Sequence, residues 1–192
     1  MPSWLEFRLA CRGVLLLAQF DAGFLRYFDR SATGALRSFW LILFLLPFEL
    51  LSSYLMTRPL PSTGLFLAAD TVGYLLGWIL FPMVLLIIER TLDRAREVPG
   101  CIAVLNWFTL LVIALQLPGL LLIIIDPASG VAGWLFLLAF LFSIAIEAFL
   151  LMRCLRISLW QAAALVAVDA LISIALGHLI LALGHVPSAP VS

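Results

Sequence analysis

Apolar residues gather into five long runs along the chain, at roughly 36–57, 65–88, 102–125, 131–152 and 158–184. Each run is long enough to cross about 30 Å of hydrocarbon at about 1.5 Å per helical residue. The pattern predicts five membrane-spanning helices. Polarity returns between the runs together with turn chemistry. TRPLPSTG follows the first run, EVPG precedes the third, DPASG separates the third from the fourth, and the short RCLRIS joins the last two. An all-α, polytopic integral membrane protein is expected. It divides into a leading segment 1–35, a five-helix transmembrane domain 36–185 and a short external tail 186–192.

The leading segment has its own pattern. In SWLEFRLACRGVLLLAQF, Arg8, Arg12 and Gln19 share one helical face, while Trp4, Phe7, Cys11, Leu15 and Ala18 occupy another. An amphipathic helix of this kind lies in the interface, with Trp at headgroup depth and Arg toward anionic headgroups of the bilayer. A helix packed against the cytoplasmic end of the bundle is the alternative. GVLLLAQF after Arg8 and Arg12 imitates a short signal core, but no small-x-small cleavage site follows, so the segment is expected to be retained. FDAGFLRYFDRSATG then makes a bend, with Ser31 or Thr33 as N-cap of the first spanning helix.

Composition agrees with the runs. Hydrophobic residues make up 65% of the 192 and charged ones 11%, against roughly 25% charged in a soluble domain. Eleven basic residues, all arginine, balance eleven acids. Their placement predicts the threading, because basic residues near span ends stay on the cytoplasmic side. Arg8, Arg12, Arg26, Arg30 and Arg37 precede the first run. Arg90, Arg94 and Arg96 lie between the second and third, and Arg153 and Arg156 between the fourth and fifth; Arg58 alone falls opposite. The N-terminus is expected in the cytoplasm and the C-terminus, with His185, outside. No basic patch interleaved with aromatics lies outside the spans, so nucleic acid is not an expected partner.

Each run carries polar residues at helical spacing. Glu49 is followed by Ser52 and Ser53; Asp70 lies three before Gly73, which opens a GxxxG to Gly77. That spacing lets a neighbouring backbone approach closely. Asn106, Thr109 and Gln116 align on the third run, and Ser143 with Glu147 on the fourth. Asp169 and Ser173 align on the fifth, beside the small residues Ala163, Ala167, Ala170 and Gly177. Gly73, Gly77, Ala163, Ala167 and Gly177 are therefore the expected helix-packing positions.

Counting from a turn near Leu60, Glu49 and Asp70 fall at nearly the same depth, about 10 to 11 residues down at about 1.5 Å each. Asp169 is expected near the midplane, whereas Glu147 is close enough to Arg153 to belong to the interface. Glu49, Asp70 and Asp169 thus form the candidate intramembrane proton site. No Arg, Lys or His lies at their depth to pair with them. An ionised carboxylate costs roughly 2.5–3.5 kcal/mol to insert, so at least one of Glu49 and Asp70 is expected to carry a proton and donate a hydrogen bond. Polar contact between helices is the alternative role for these groups. Pro47, Pro82 and Pro118 interrupt three runs and free carbonyls one turn earlier, which bends the helices for packing.

Catalytic chemistry is not in evidence. No GxSxG, HExxH, P-loop or GxGxxG occurs, and no cofactor or metal site is expected. Cys11, Cys101 and Cys154 all map to the reducing side and lack metal-ligand spacing. His178 and His185 lie near the outer end of the last run as interfacial residues.

VGYLLGWILFPMVLL, residues 72–86, and FDRSATGALRSFW, residues 28–40, resemble the Yip (Ypt-interacting protein) family of small five-span proteins, particularly its bacterial members. The likeness runs over about 36–184. This chain lacks the longer cytosolic N-terminal region and Asp-Leu-Tyr-Gly-Pro-type motif of eukaryotic members, which argues against a GTPase partner. The resemblance implies a bacterial inner membrane and a non-enzymatic role as a membrane-organising or accessory subunit. Such a subunit works through helix packing with a second copy or a membrane complex. The competing expectation is a small proton- or ion-coupled transporter using Glu49, Asp70 and Asp169, marked by a continuous polar cavity that reaches them. Lipid handling, with an acyl chain between kinked helices, is a third.

Overall fold

Helices begin where the sequence supplies a cap. In the computed structural model, which describes residues 2–57, 63–91, 93–126 and 130–184, the Ser3 hydroxyl accepts the Glu6 N–H at 3.1 Å and opens α1, Trp4–Ala18. Ser3 and Glu6 have the spacing of a capping box. Asp21 accepts from the Gly23 N–H at 2.7 Å and opens a 3₁₀ helix, Ala22–Tyr27. Ser31 is the expected cap of α2, Ala32–Ser38, accepting the Gly34 N–H at 3.0 Å. A side chain at Gly34 would overlap the Asp29 carbonyl, so this bend requires glycine.

Five spans follow, all long and apolar enough to cross a membrane. The first joins α2 to α3, Trp40–Thr57, as the 24-residue stretch Ala32–Leu55. The others are α4, Thr63–Ile88, α5, Val98–Ile125, α6, Val131–Leu155, and α7, Leu159–Gly184. The protein is an all-helical, multi-pass membrane protein, with no strand among the described residues. The turn at Leu60, Arg58, residues 127–129 of DPASG, His185 and the tail 186–192 lie outside the described residues.

Hydropathy predicts one uninterrupted first helix, but α2 and α3 are separated at Phe39. Ser38 is the cause on its own side of the break. Its hydroxyl donates to the Ala35 carbonyl at 2.6 Å and accepts from Asn106 Nδ2 at 2.8 Å. Local bonding of a serine to the turn behind it competes with the helical ladder and bends helices. Both residues are buried, Ser38 completely. Lipid tails are as apolar as leucine, so such contacts and close packing, rather than expulsion of water, hold spans together. A Ser38→Ala, Asn106→Leu double-mutant cycle, followed by thermal unfolding in detergent, is expected to give a coupling of about 0.6–2 kcal/mol.

α5 is the central span, touching α1, α2, α3, α4 and α6, while α7 packs on α4 and α6. The tightest seam lies where α5 starts and α6 ends, with Val98, Cys101 and Val104 buried against Leu150, Leu151 and Leu155. Arg94 locks that end by donating through Nε to the Leu155 carbonyl at 2.8 Å, a helix-terminal acceptor otherwise without a ladder partner. Large side chains point outward elsewhere, Ile87, Trp134 and Trp160 among them.

α1 packs on the bundle, on a face the pattern did not single out. Ala10, Gly13, Val14 and Leu17 are buried, while Trp4, Leu15, Arg8 and Arg12 face outward. The reason is steric. A Cβ on Gly13 would come within 2.5 Å of the Phe28 ring, so the face of Ala10, Gly13, Val14 and Leu17 seats there only with glycine at that point. Phe7 meets Phe44 and Trp107 edge-on, and Phe20 meets Phe142 and Phe149, placing α1 along the flank of α3, α5 and α6. Arg37 clasps this layer through Glu6 at 3.3 Å and Asp29 at 2.5 Å. Hydrogen bonds from Ser31, reinforced by Arg37, hold the Asp29 carboxyl below its ordinary range.

Candidate functional site

Pro47 sits inside α3 and supplies no N–H to the turn behind it. One residue before the Leu43 carbonyl that Pro47 leaves without a ladder donor, the Ile42 carbonyl accepts the Tyr74 hydroxyl of α4 at 2.9 Å. This contact fixes α3 beside α4. Further along the same pair, the Ser53 hydroxyl donates to Asp70 Oδ2 in a short hydrogen bond, and Asp70 acts electrostatically on Glu49. Glu49 and Asp70 are thus neighbours, as their equal depth implied.

The other acids form a second pair. Asp169 on α7 lies within electrostatic reach of Glu147 on α6. Glu147 points into the bundle and not toward Arg153. Its side chain is 8% exposed and lines the interior, and Oε1 accepts no hydrogen bond among the described residues. Arg153 turns away, its guanidinium 5.2 Å from the Phe149 ring. Six residues on a helix is about one and two-thirds turns, which carries Arg153 to a different face. The two pairs are well separated along the bundle. Gly73 of α4 meets Ile180 of the antiparallel α7. Asp70 is three residues to one side of that crossing and Asp169 eleven to the other, about 20 Å in all at about 1.5 Å per residue.

Both pairs open onto one cavity of about 510 Å³. Every spanning helix contributes to it. The polar stripes read along the chain converge there, with Asn106, Thr109 and Gln116 from α5, Ser143 from α6 and Ser173 from α7. Aromatic rings form much of the remaining wall, from Tyr74, Trp78, Phe81, Phe108 and Phe140. A second cavity of about 370 Å³ is also lined by Glu49, Asp70 and Gln116, so these three stand on the wall common to both chambers. No arginine, lysine or histidine is among the described residues lining either.

The expected packing positions divide into three groups. Gly73 is a true close approach, since a Cβ there would overlap Ile180. Gly77 and Gly177 line the cavity. A Cβ on Gly77 would meet only Leu176 at 4.0 Å, and one on Gly177 would meet nothing within 4 Å. Ala163 and Ala167 face outward, and the seated face of α7 is Ala162, Leu165 and Val166. A shift of one residue turns the helix by about 100°, which separates these strips. Cys101 and Cys154 come together as buried free thiols, while Cys11 lies apart on α1. No group of three possible metal-ligating side chains occurs among the described residues. His178 is exposed on α7.

Fold and site together define a multi-pass membrane protein with an acid-lined chamber inside its bundle. Comparison of the chain with protein families, curated proteins and solved structures finds no match.

Proposed function

We propose that the protein is a small membrane carrier in which buried carboxyls take up protons or cations. The observation that supports this most directly is the cavity that joins Glu49 and Asp70 to Glu147 and Asp169 with no basic side chain lining it among the described residues. Polar stripes serving only to bind one helix to the next would satisfy each other pairwise. Here Glu147 keeps an unbonded buried oxygen, and ionisable groups kept inside a membrane at such cost mark ion and proton pathways. The test is flux in proteoliposomes under an imposed pH gradient. Wild type should acidify or alkalinise the lumen with the gradient, and Glu49→Gln or Asp169→Asn should lower the rate by about tenfold or more, as expected for proton-relay acids. Equal leak in wild type, variants and empty vesicles would remove the reading.

A second reading has an observation of its own. Ala163 and Ala167 leave a small-residue strip on the outer surface of α7, where a second copy or a membrane complex could seat closely. This is the accessory role that the Yip resemblance implies, in a bacterial inner membrane with the arginine-rich end in the cytoplasm. Under either reading the outward Trp4, Arg8 and Arg12 of α1 are the groups that meet anionic headgroups.

A further inference from the structure

We infer that the chamber binds an organic cation with an apolar or aromatic body. The inference rests on the carrier reading above and names the class of cargo.

Four observations converge. The first is charge: acids from α3, α4, α6 and α7 line the space without a basic counterpart among the described residues, so an entering cation is favoured and an anion opposed. The second is Glu147, more than nine-tenths buried, lining the chamber with Oε1 accepting no hydrogen bond among the described residues. A buried carboxylate oxygen in that condition is completed by a ligand that brings positive charge or an N–H. Size is the third. About 510 Å³ falls in the range of roughly 300–1,000 Å³ typical of small-molecule sites and greatly exceeds what a single dehydrated ion fills. The described residues also offer no cluster of three acids, histidines or cysteines around one point.

The wall is the fourth and most selective feature. Tyr74, Trp78 and Phe81 come from consecutive turns of α4, and Phe108 and Phe140 from α5 and α6. Trp78 and Tyr74 stand edge to face with ring centres 6.1 Å apart, which leaves aromatic surface toward the chamber between the two acid pairs. Aromatic faces attract quaternary and other organic cations strongly once water is excluded. A hydrated metal ion gains little from such a surface. Gly77 and Gly177 withhold side chains from the chamber on the adjacent helices α4 and α7.

Equilibrium dialysis of the full-length protein in detergent, in mildly alkaline buffer, tests the inference with radiolabelled tetraphenylphosphonium. Tetraphenylmethane, of the same shape and without charge, serves as control. The cation should bind saturably and the neutral compound at least about tenfold more weakly, the discrimination expected of desolvated charge and cation–π contacts. Glu147→Gln and Trp78→Leu should each reduce cation binding by a similar factor. Gly177→Leu, which adds bulk where a Cβ meets open space, should block binding while the protein remains monodisperse. That variant keeps the test valid even where an acid or aromatic replacement disturbs folding. Equal binding of both compounds, or binding unchanged in a monodisperse Gly177→Leu protein, would overturn the inference. Its failure is separable from that of the carrier reading. Gradient-driven proton flux without tetraphenylphosphonium binding overturns the cargo class alone, whereas absence of both flux and binding overturns the two together.

Discussion

Glu147→Gln is expected to stabilise the protein while lowering its flux by about tenfold or more. The wild-type side chain is 8% exposed, faces Asp169 and has one oxygen without a hydrogen bond. In mildly alkaline buffer, where the carboxyl is driven to ionise, a carboxylate in the membrane costs roughly 2.5–3.5 kcal/mol on insertion scales, and recovering part of that should raise stability by about 1 kcal/mol or more. The amide is nearly the same size, so the seam around Ile146 and Leu150 is undisturbed. Flux in proteoliposomes should meanwhile fall by about tenfold or more, because Gln cannot exchange a proton or balance a cation. Stability gained at the expense of activity is the signature of a strained functional group. Thermal unfolding in detergent and the liposome assay on the same preparation give both readings. A variant that unfolds earlier and transports at the wild-type rate would assign Glu147 a packing role.

Gly73→Val carries the largest expected structural effect. Its Cβ would overlap the end of Ile180, and the next atom, Cγ1, stands at 3.0 Å. Two further methyl groups demand more room than one flexible side-chain end can release. Overpacking of this kind costs typically about 1–3 kcal/mol, felt here as a lower unfolding temperature and a loosened α4–α7 seam. Gly177→Ala supplies the contrast, since its Cβ meets nothing within 4 Å. Relief of glycine's helix penalty should leave that variant unchanged or more stable by up to about 1 kcal/mol. Similar losses in both variants would show that backbone flexibility rather than close approach sets the requirement for glycine.

The difference between these two glycines was not legible along the chain. Gly73, Gly77 and Gly177 all look like small residues at packing spacing and all line the chamber, yet only at Gly73 would a side chain overlap a neighbour. Glu49 and Asp70 were legible as a pair, because a hairpin of two straight runs sets their depth by counting alone. Glu147 was not, because distance in sequence to Arg153 says nothing about which face each side chain takes. Ser38 belongs with it. A lone serine near a span end carries no signal until Asn106, 68 residues away, is brought to its hydroxyl. On α1 the Arg and Trp strips stood out by contrast of polarity. The face that seats, Ala10, Gly13, Val14 and Leu17, is marked instead by the close approach at Gly13, which shows only against the Phe28 ring.

Membrane class, helix number and approximate span limits follow from composition and run length, for a physical reason. Hydrocarbon offers no partner to a backbone N–H or C=O, so an apolar run of about 20 residues has the helix as its only stable spanning form. Inward and outward faces follow no such rule. A span is apolar all round, and lipid tails resemble leucine side chains, so hydropathy barely distinguishes lipid from neighbour. That choice falls to steric fit and polar contact between helices far apart in sequence. Packing of α5 against α6 and of α4 against α7 turned separate polar stripes into one acid-lined chamber.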